Sequence, residues 1–332
     1  MLNTSLKLNA HVLDPAVEQV PIRDGFGEGL LTAGERDPNV VALSADLAES
    51  TRVAAFAAAH PERFFDVGVA EQNMVTIAAG LGVSGKVPFV ASFAVFSPGR
   101  NWEQIRTTIC YNDANVKITG HHAGVSNGAD GATHQALEDI ALMRTLPNMK
   151  VIVPCDAIEA RKATLAAAKL WGPVYLRLER ERSPLLTTDA TPFTPGKAEI
   201  IWRSKRPQVA LIACGSALYQ ALRAARDLEK MKVGTVVVNN HTVKPLDERT
   251  LVDLAKKVGA FVCVEHHQVA GGMGSAVAEL IARTTPVPIE FVGMQDSFGE
   301  SGKPHELIAK HAMDTDAVVA AVKRALKRTS HV

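Results

Sequence analysis

Three imidazoles, three glycines and an aspartate fall within one short run, from His121 and His122 through Gly124, Gly128, Asp130 and Gly131 to His134. A turn needs Gly and Asp but has no need of three imidazoles, and histidine is the side chain suited to proton transfer near neutral pH. Metal binding is the main competitor. His121 and His122 are adjacent, however, and no His-x-x-x-His pair or cysteine stands at ligand spacing nearby. A carboxylate enters from Val69-Ala70-Glu71-Gln72-Asn73-Met74, which delivers Glu71 from a strand end into the first turn of an apolar helix. An acid there complements the helix dipole. The same position also suits a half-buried carboxylate whose partner is a ligand atom. Phe93 and Phe96 end another strand, in a chain with only 5 % aromatic residues. Such a pair can pack a core or wall a flat heteroaromatic ring.

The elements that must position these groups follow a strand–helix rhythm. Val40–Leu43, Val87–Val90, Val116–Ile118, Val151–Val153 and Val174–Leu176 read as strands, most of them apolar on successive residues. Helix-forming composition fills 71–83, 98–111, 135–146 and 156–170. The alternation implies an α/β protein with mostly parallel sheets flanked by helices. A Pro- and Thr-containing stretch over 182–198 then breaks the rhythm and reads as a linker. A second block places strands at Val209–Ala213, Thr235–Val238, Phe261–Val264 and Ile289–Val292, with helices near 216–230, 247–257, 274–283 and 314–328. The division is a tail over 1–20, a first domain over 21–186, a linker core over 187–198 and a second domain over 199–332. Ligands of open α/β sheets bind beyond the carboxyl ends of the strands, where the first domain is rich in polar residues.

With 332 residues, two domains are the expectation. Lys+Arg number 36 against 35 Asp+Glu, a net charge of +1 that gives no electrostatic case for nucleic acid or an anionic membrane. The four cysteines, at 110, 155, 214 and 263, are too dispersed for a Cys-x-x-Cys pair and suit a reducing compartment. No secretory signal and no membrane-length apolar run is present, so a cytoplasmic protein is expected. The chain lacks Gly-x-Gly-x-x-Gly after a strand and any phosphate-loop lysine. Gly25-Phe26-Gly27-Glu28-Gly29 runs on into a helix instead. The residues thus describe a site able to protonate and stack a ring, without a cradle for a diphosphate.

Taken together, these segments resemble the C-terminal half of transketolases, in particular the split form in which separate subunits carry the two halves. The carriers are Leu43-Ser44-Ala45-Asp46-Leu47 with Ser50, Gly68-Val69-Ala70-Glu71-Gln72-Asn73-Met74, Phe93 with Phe96, and Gly128-Ala129-Asp130-Gly131-Ala132-Thr133-His134-Gln135. Val243-Lys244-Pro245-Leu246-Asp247 and Glu265-His266-His267-Gln268-Val269-Ala270-Gly271-Gly272 resemble the family's C-terminal domain. The resemblance implies a pyrimidine-binding domain followed by a transketolase C-terminal domain. It also implies thiamine diphosphate as cofactor, held between subunits. The family anchors the diphosphate and magnesium through a Gly-Asp-Gly motif that this chain lacks. The Mg2+ ligands are therefore expected on an N-terminal partner subunit, with no metal ligand here and a homodimer of this chain inside a heterotetramer.

By the same resemblance, Glu71 bonds the pyrimidine ring and acts through the cofactor's own amino group. Phe93 and Phe96 stack on the pyrimidine, Asp46 and Leu47 hold the bent cofactor, and Arg100 approaches the ring. His122 and His134 bond sugar hydroxyls and help move protons, and Asp130 accepts from a hydroxyl beside the reacting carbonyl. Arg23, Ser50 and Arg180 surround the sugar phosphate, a guanidinium being suited to a phosphate dianion. Arg177 is expected on the opposite face of its strand. The implied reaction is transfer of a two-carbon ketol unit from a ketose phosphate to an aldose phosphate. Ala129 stands where many full-length transketolases have Glu, and Ser97-Pro98-Gly99 where they have a tyrosine. Those departures keep two alternatives open, an unusual branched or sulfonated sugar and a deoxyxylulose-phosphate-synthase-like activity. A third, a non-catalytic partner subunit, would be expected to have lost residue 71, 122 or 134, and all three are intact. Gly271–Gly274 and His266-His267 are expected to be structural.

Overall fold

Successive buried residues make most of the strands, as expected where helices cover both faces of a sheet. The computed structural model describes residues 1–329. Its strands in chain order are β1 Gln19–Pro21, β2 Val40–Ser44, β3 Phe64–Asp66, β4 Val87–Phe93, β5 Lys117–His121, β6 Lys150–Ile152, β7 Val174–Arg177, β8 Arg182–Pro184, β9 Glu199–Arg203, β10 Val209–Ala213, β11 Thr235–Asn239, β12 Thr242–Lys244, β13 Ala260–Gln268 and β14 Ile289–Met294. A seven-stranded sheet has the order β12-β6-β7-β5-β4-β2-β3, and a five-stranded sheet the order β14-β13-β10-β11-β9. β2 to β7 pair in parallel throughout. In the second sheet only β9 runs antiparallel. The architecture is α/β in two domains.

Long-range pairing departs from the expected division. β12, drawn from the second half of the chain, lies antiparallel beside β6 and closes the edge of the first sheet. The stretch expected as a plain linker contains β8, which pairs antiparallel with β1. Asp156 pins the residues that follow: its carboxylate accepts from the backbone N–H groups of Leu186 and Thr187 while capping the helix Ala157–Lys169. At the other end of the chain, Asn3 donates its backbone N–H to Ile201 on β9.

Two helices differ from expectation. Over 98–111 the chain forms one α-turn at Trp102–Gln104 and then a π-helix over Ile105–Cys110. There the Thr107 and Thr108 hydroxyls bond back to the carbonyls of Glu103 and Gln104. The helix expected over 135–146 spans only Asp139–Arg144, because the Ala136 and Leu137 carbonyls are taken by the N–H groups of Gly124 and Gln268. The glycine-rich run after Ile22 serves packing. A Cβ at Gly25 would stand 1.8 Å from the Ala157 carbonyl oxygen, so the helices Ile22–Arg36 and Ala157–Lys169 meet backbone to backbone.

Candidate active site

β3 ends at Asp66, whose carboxylate accepts from the N–H groups of Gly68 and Asp46. Gly68 takes φ +69°, turning the chain into the helix Glu71–Val83. Glu71 thus begins a helix whose inner face is apolar, and it is 1 % exposed. Its carboxylate accepts from Arg100 Nη1 at 2.6 Å, and its backbone carbonyl from Asn101 Nδ2 at 3.0 Å. Burying a carboxylate in this way is costly unless it is paired, and the Arg100 guanidinium meets that need.

β4 carries Phe93 to the same carboxyl edge. The Phe93 and Phe96 rings lie nearly parallel, 12° apart with centroids at 5.9 Å. Arg100 sits over Phe96 at 4.6 Å, and the His134 ring stands edge-on to Phe96 at 5.4 Å. Phe93 touches the His122 ring at 4.0 Å, which connects this aromatic group to the next one.

That second group is cationic. Arg23, in the first turn after β1, donates to His122 Nε2 at 2.8 Å and to the Ser50 carbonyl at 3.0 Å. A guanidinium has only donors, so Nε2 accepts and the ring proton of His122 lies on Nδ1. His122 Nδ1 is buried and without a partner. Burial, then the positive fields of Arg23 and Arg180, hold the His122 pKa down at about 3. The residue adopts φ +57°, a left-handed backbone rare outside glycine and frequent at functional sites. Arg180, just beyond β7, donates to the Asn127 carbonyl, to Asn127 Oδ1 and to Asp130 Oδ2 at 3.0–3.1 Å.

The structure therefore brings Glu71, Arg100, Phe93, Phe96, His134, His122, Arg23, Ser50, Arg180 and Asp130 into one contiguous cluster at the carboxyl ends of β2, β3, β4, β5 and β7. Asp46 and Leu47 stand at the same edge but bond to Asp66 and Ser44 rather than to the Glu71 group. His121 leaves the site: it points to the other face, bonded to Thr119 and edge-on to Phe26 at 4.9 Å. Arg177 also faces away, its guanidinium bonded to Asp139 and to the His266 carbonyl. Sequence reasoning missed Asn101 and Asn127, which lack any distinguishing pattern. It also missed Asp66, whose place two residues before Gly68 is a readable Asx-turn signal. In the second domain the Glu265 carboxylate accepts from Met273 and Gly274 N–H groups, so Gly271–Gly274 is the structural start of a helix.

The residues fit the aminopyrimidine part of a thiamine-type cofactor: a buried carboxylate beside two parallel rings, with an orphaned imidazole N–H close by. Among the described residues, no group of three or more His, Cys, Asp or Glu side chains is placed to hold a metal ion, and no helix is long and apolar enough to cross a membrane. The model of the transketolase pyrimidine-binding domain matches residues 18–184, and that of the transketolase C-terminal domain matches 196–318.

The chain belongs to the transketolase family. Within that family it is similar to a protein described as a transketolase C-terminal section from Methanocaldococcus jannaschii, 40 % identical and covering 92 % of this chain and 96 % of that one. It is similar also to the 6-deoxy-6-sulfo-D-fructose transketolase subunit SqwH of a Clostridium species, at 37 % identity over 94 % of this chain and 96 % of the relative. Among solved structures it matches a split-gene transketolase described as an inactive beta4 tetramer, with TM-score 0.85 and 42 % identity, covering 93 % and 99 % of the two chains. This transketolase chain is a C-terminal subunit of the split type, a component of a transferase.

Proposed function

We propose that the chain supplies the pyrimidine-binding half of a thiamine-diphosphate-dependent transketolase. Together with an N-terminal subunit that holds the diphosphate and Mg2+, it moves a two-carbon ketol unit from a ketose phosphate to an aldose phosphate. The observation that carries this reading is the buried Glu71 carboxylate beside the stacked Phe93 and Phe96, with the Arg23–His122–Arg180 group across the Phe93 ring. When bound, the cofactor supplies the nucleophilic carbon that carries the two-carbon unit. Glu71, Phe93, Phe96 and Arg100 hold and orient its pyrimidine, with Asp46 and Leu47 on the loop beside it. His122 and His134 donate to sugar oxygens, Asp130 accepts from a sugar hydroxyl, and Arg23 with Arg180 and Ser50 takes the terminal anion.

In this reading residues 21–186 bind the pyrimidine and the second domain builds a homodimer within a heterotetramer; the tetrameric, inactive state of the solved relative supports self-association and dependence on a partner. The test mixes the purified chain, thiamine diphosphate and Mg2+ with and without a candidate N-terminal subunit. Turnover is expected only from the pair. Robust turnover by this chain alone overturns the half-site reading.

A second reading, transfer on a sulfonated ketose, is favoured by the Clostridium relative, and two guanidiniums can pair with a sulfonate monoanion as well as with a phosphate dianion. A substrate panel on the reconstituted pair separates them by kcat/KM.

A further inference from the structure

The second domain has no part in the cluster described above, yet it reaches the loop that carries two of its members. Gln135 follows the run Gly124–His134 directly. Its side-chain Nε2 donates at 3.3 Å to the Gly128 carbonyl inside the loop and at 2.9 Å to the Glu300 carbonyl of the second domain. The second-domain segment over 299–304 follows the outside of the loop closely. A Cβ at Gly299 would fall 1.8 Å from Gln135 Oε1, and one at Gly131 only 2.6 Å from Ser301 Oγ. At Gly128 the neighbours are the Gly302 carbonyl and Pro304, each at 3.1 Å. Gly128 and Gly131 have φ of +64° and +78°, so the loop follows a path open to few other residues at those two points. Beneath this seam, Val125 and Leu137 from the loop side share an apolar cluster with Met294, Leu307 and Met313 from the second domain.

The inner side of the loop is held by Asn127, which donates to the His134 carbonyl at 2.8 Å and accepts from Arg180. On that side Arg180 also donates to Asp130 Oδ2 at 3.1 Å and the His134 ring stands against Phe93 and Phe96, while the backbone bearing both residues consists of short 3-10 turns between Gly124 and His134. The outer contacts add a second constraint, on the backbone of those turns. We infer that the second domain is a positioning element for substrate: the segment 299–304, through Gln135, sets the place of Asp130 and His134 and thereby the affinity for the hydroxylated sugar. The inference rests on the proposed ketol-transfer reading for its substrate. Its structural content stands apart from that reading.

The experiment has two arms that fail separately. In the first, amide hydrogen exchange is followed on the full chain without any partner. Gln135→Leu removes both donated bonds, and Gly299→Ala pushes on Gln135 from the second domain without touching the site. Both are expected to speed exchange over 124–134 by about tenfold while the sheet strands keep their protection, the equivalent of one lost hydrogen bond. Unchanged exchange in both variants overturns the inference, whatever the enzyme does. In the second arm, kinetics are measured on the reconstituted pair. KM for the sugar is expected to rise about tenfold, with kcat within about threefold and cofactor affinity unaltered. A merely structural defect lowers kcat by the inactive fraction and leaves KM in place, and that result overturns the positioning role. If the wild-type pair transfers no ketol unit, the functional reading fails while the exchange arm still decides the inference.

Discussion

Arg100 donates to Glu71 at 2.6 Å across a steep gradient of exposure, the glutamate side chain being 1 % and the arginine side chain 47 % accessible. The same guanidinium covers Phe96. The buried acid is therefore paired by a cation that can withdraw toward solvent when a ligand atom takes its place. Removing Arg100 leaves a buried charge uncompensated. Arg100→Met is expected to destabilise the chain by about 1–2 kcal/mol, an unpaired polar group's cost moderated by the arginine's exposure. With Glu71→Gln already present the loss shrinks. Equal losses in both backgrounds, measured by urea unfolding, refute the coupling.

Glu71→Gln alone tests the catalytic assignment. The amide keeps the volume and gives up the charge, so the thermal midpoint stays within a few degrees. Ketol transfer by the reconstituted pair is expected to fall by about a hundredfold or more, the scale of a lost proton-transfer group. Near-normal turnover removes Glu71 from the role.

The Arg23 and Arg180 guanidiniums both extend their positive field to the buried imidazole of His122, and Arg23 donates to it directly. Arg23→Met or Arg180→Met is expected to raise KM for a phosphorylated aldose by about tenfold to a hundredfold, the worth of one charge-assisted hydrogen bond. The unphosphorylated aldose serves as the control. If its KM rises equally, neither arginine reads the anion.

His241 gives a prediction for pH. Its ring is buried against Phe193 at 4.4 Å, with Nδ1 bonded to the Thr242 hydroxyl, and burial pushes its pKa down to about 4. The unfolded chain, with an ordinary value of about 6.5, binds the proton that the folded chain refuses between those two values. Stability owed to this ring is therefore fully present above pH 6.5 and falls as pH drops toward 4. His241→Gln costs stability at pH 7.5, and that cost is expected to shrink by up to about 1.4 kcal/mol per pH unit on acidification below 6.5. Urea midpoints of both proteins at pH 7.5, 6 and 5 check this. A constant difference refutes it.

What could be read from the sequence was local. Val87–Val90 and Val174–Leu176 declare buried parallel strands by composition, and Glu71, Phe93 and His134 stand out because their residue types are costly or scarce where they occur. What stayed hidden depends on partners far along the chain. Gln135 meets Glu300 across 165 positions, and nothing in either neighbourhood encodes the other. β12 is too short to show a period, and its pairing with β6 is decided by where the second domain docks. Asn101 and Asn127 are ordinary polar residues until the fold sets them beside a glutamate carbonyl and an arginine.

The borrowed edge strand β12 bears on how this protein can be taken apart. Excising the first half at residue 186 would strip β6 of its outer partner and bare a row of backbone donors and acceptors, the kind of margin along which foreign chains dock and clump. A chimera that swaps the latter half for a relative's must graft a matching Thr242–Lys244 ribbon, or it will exchange one enzyme for a sticky fragment.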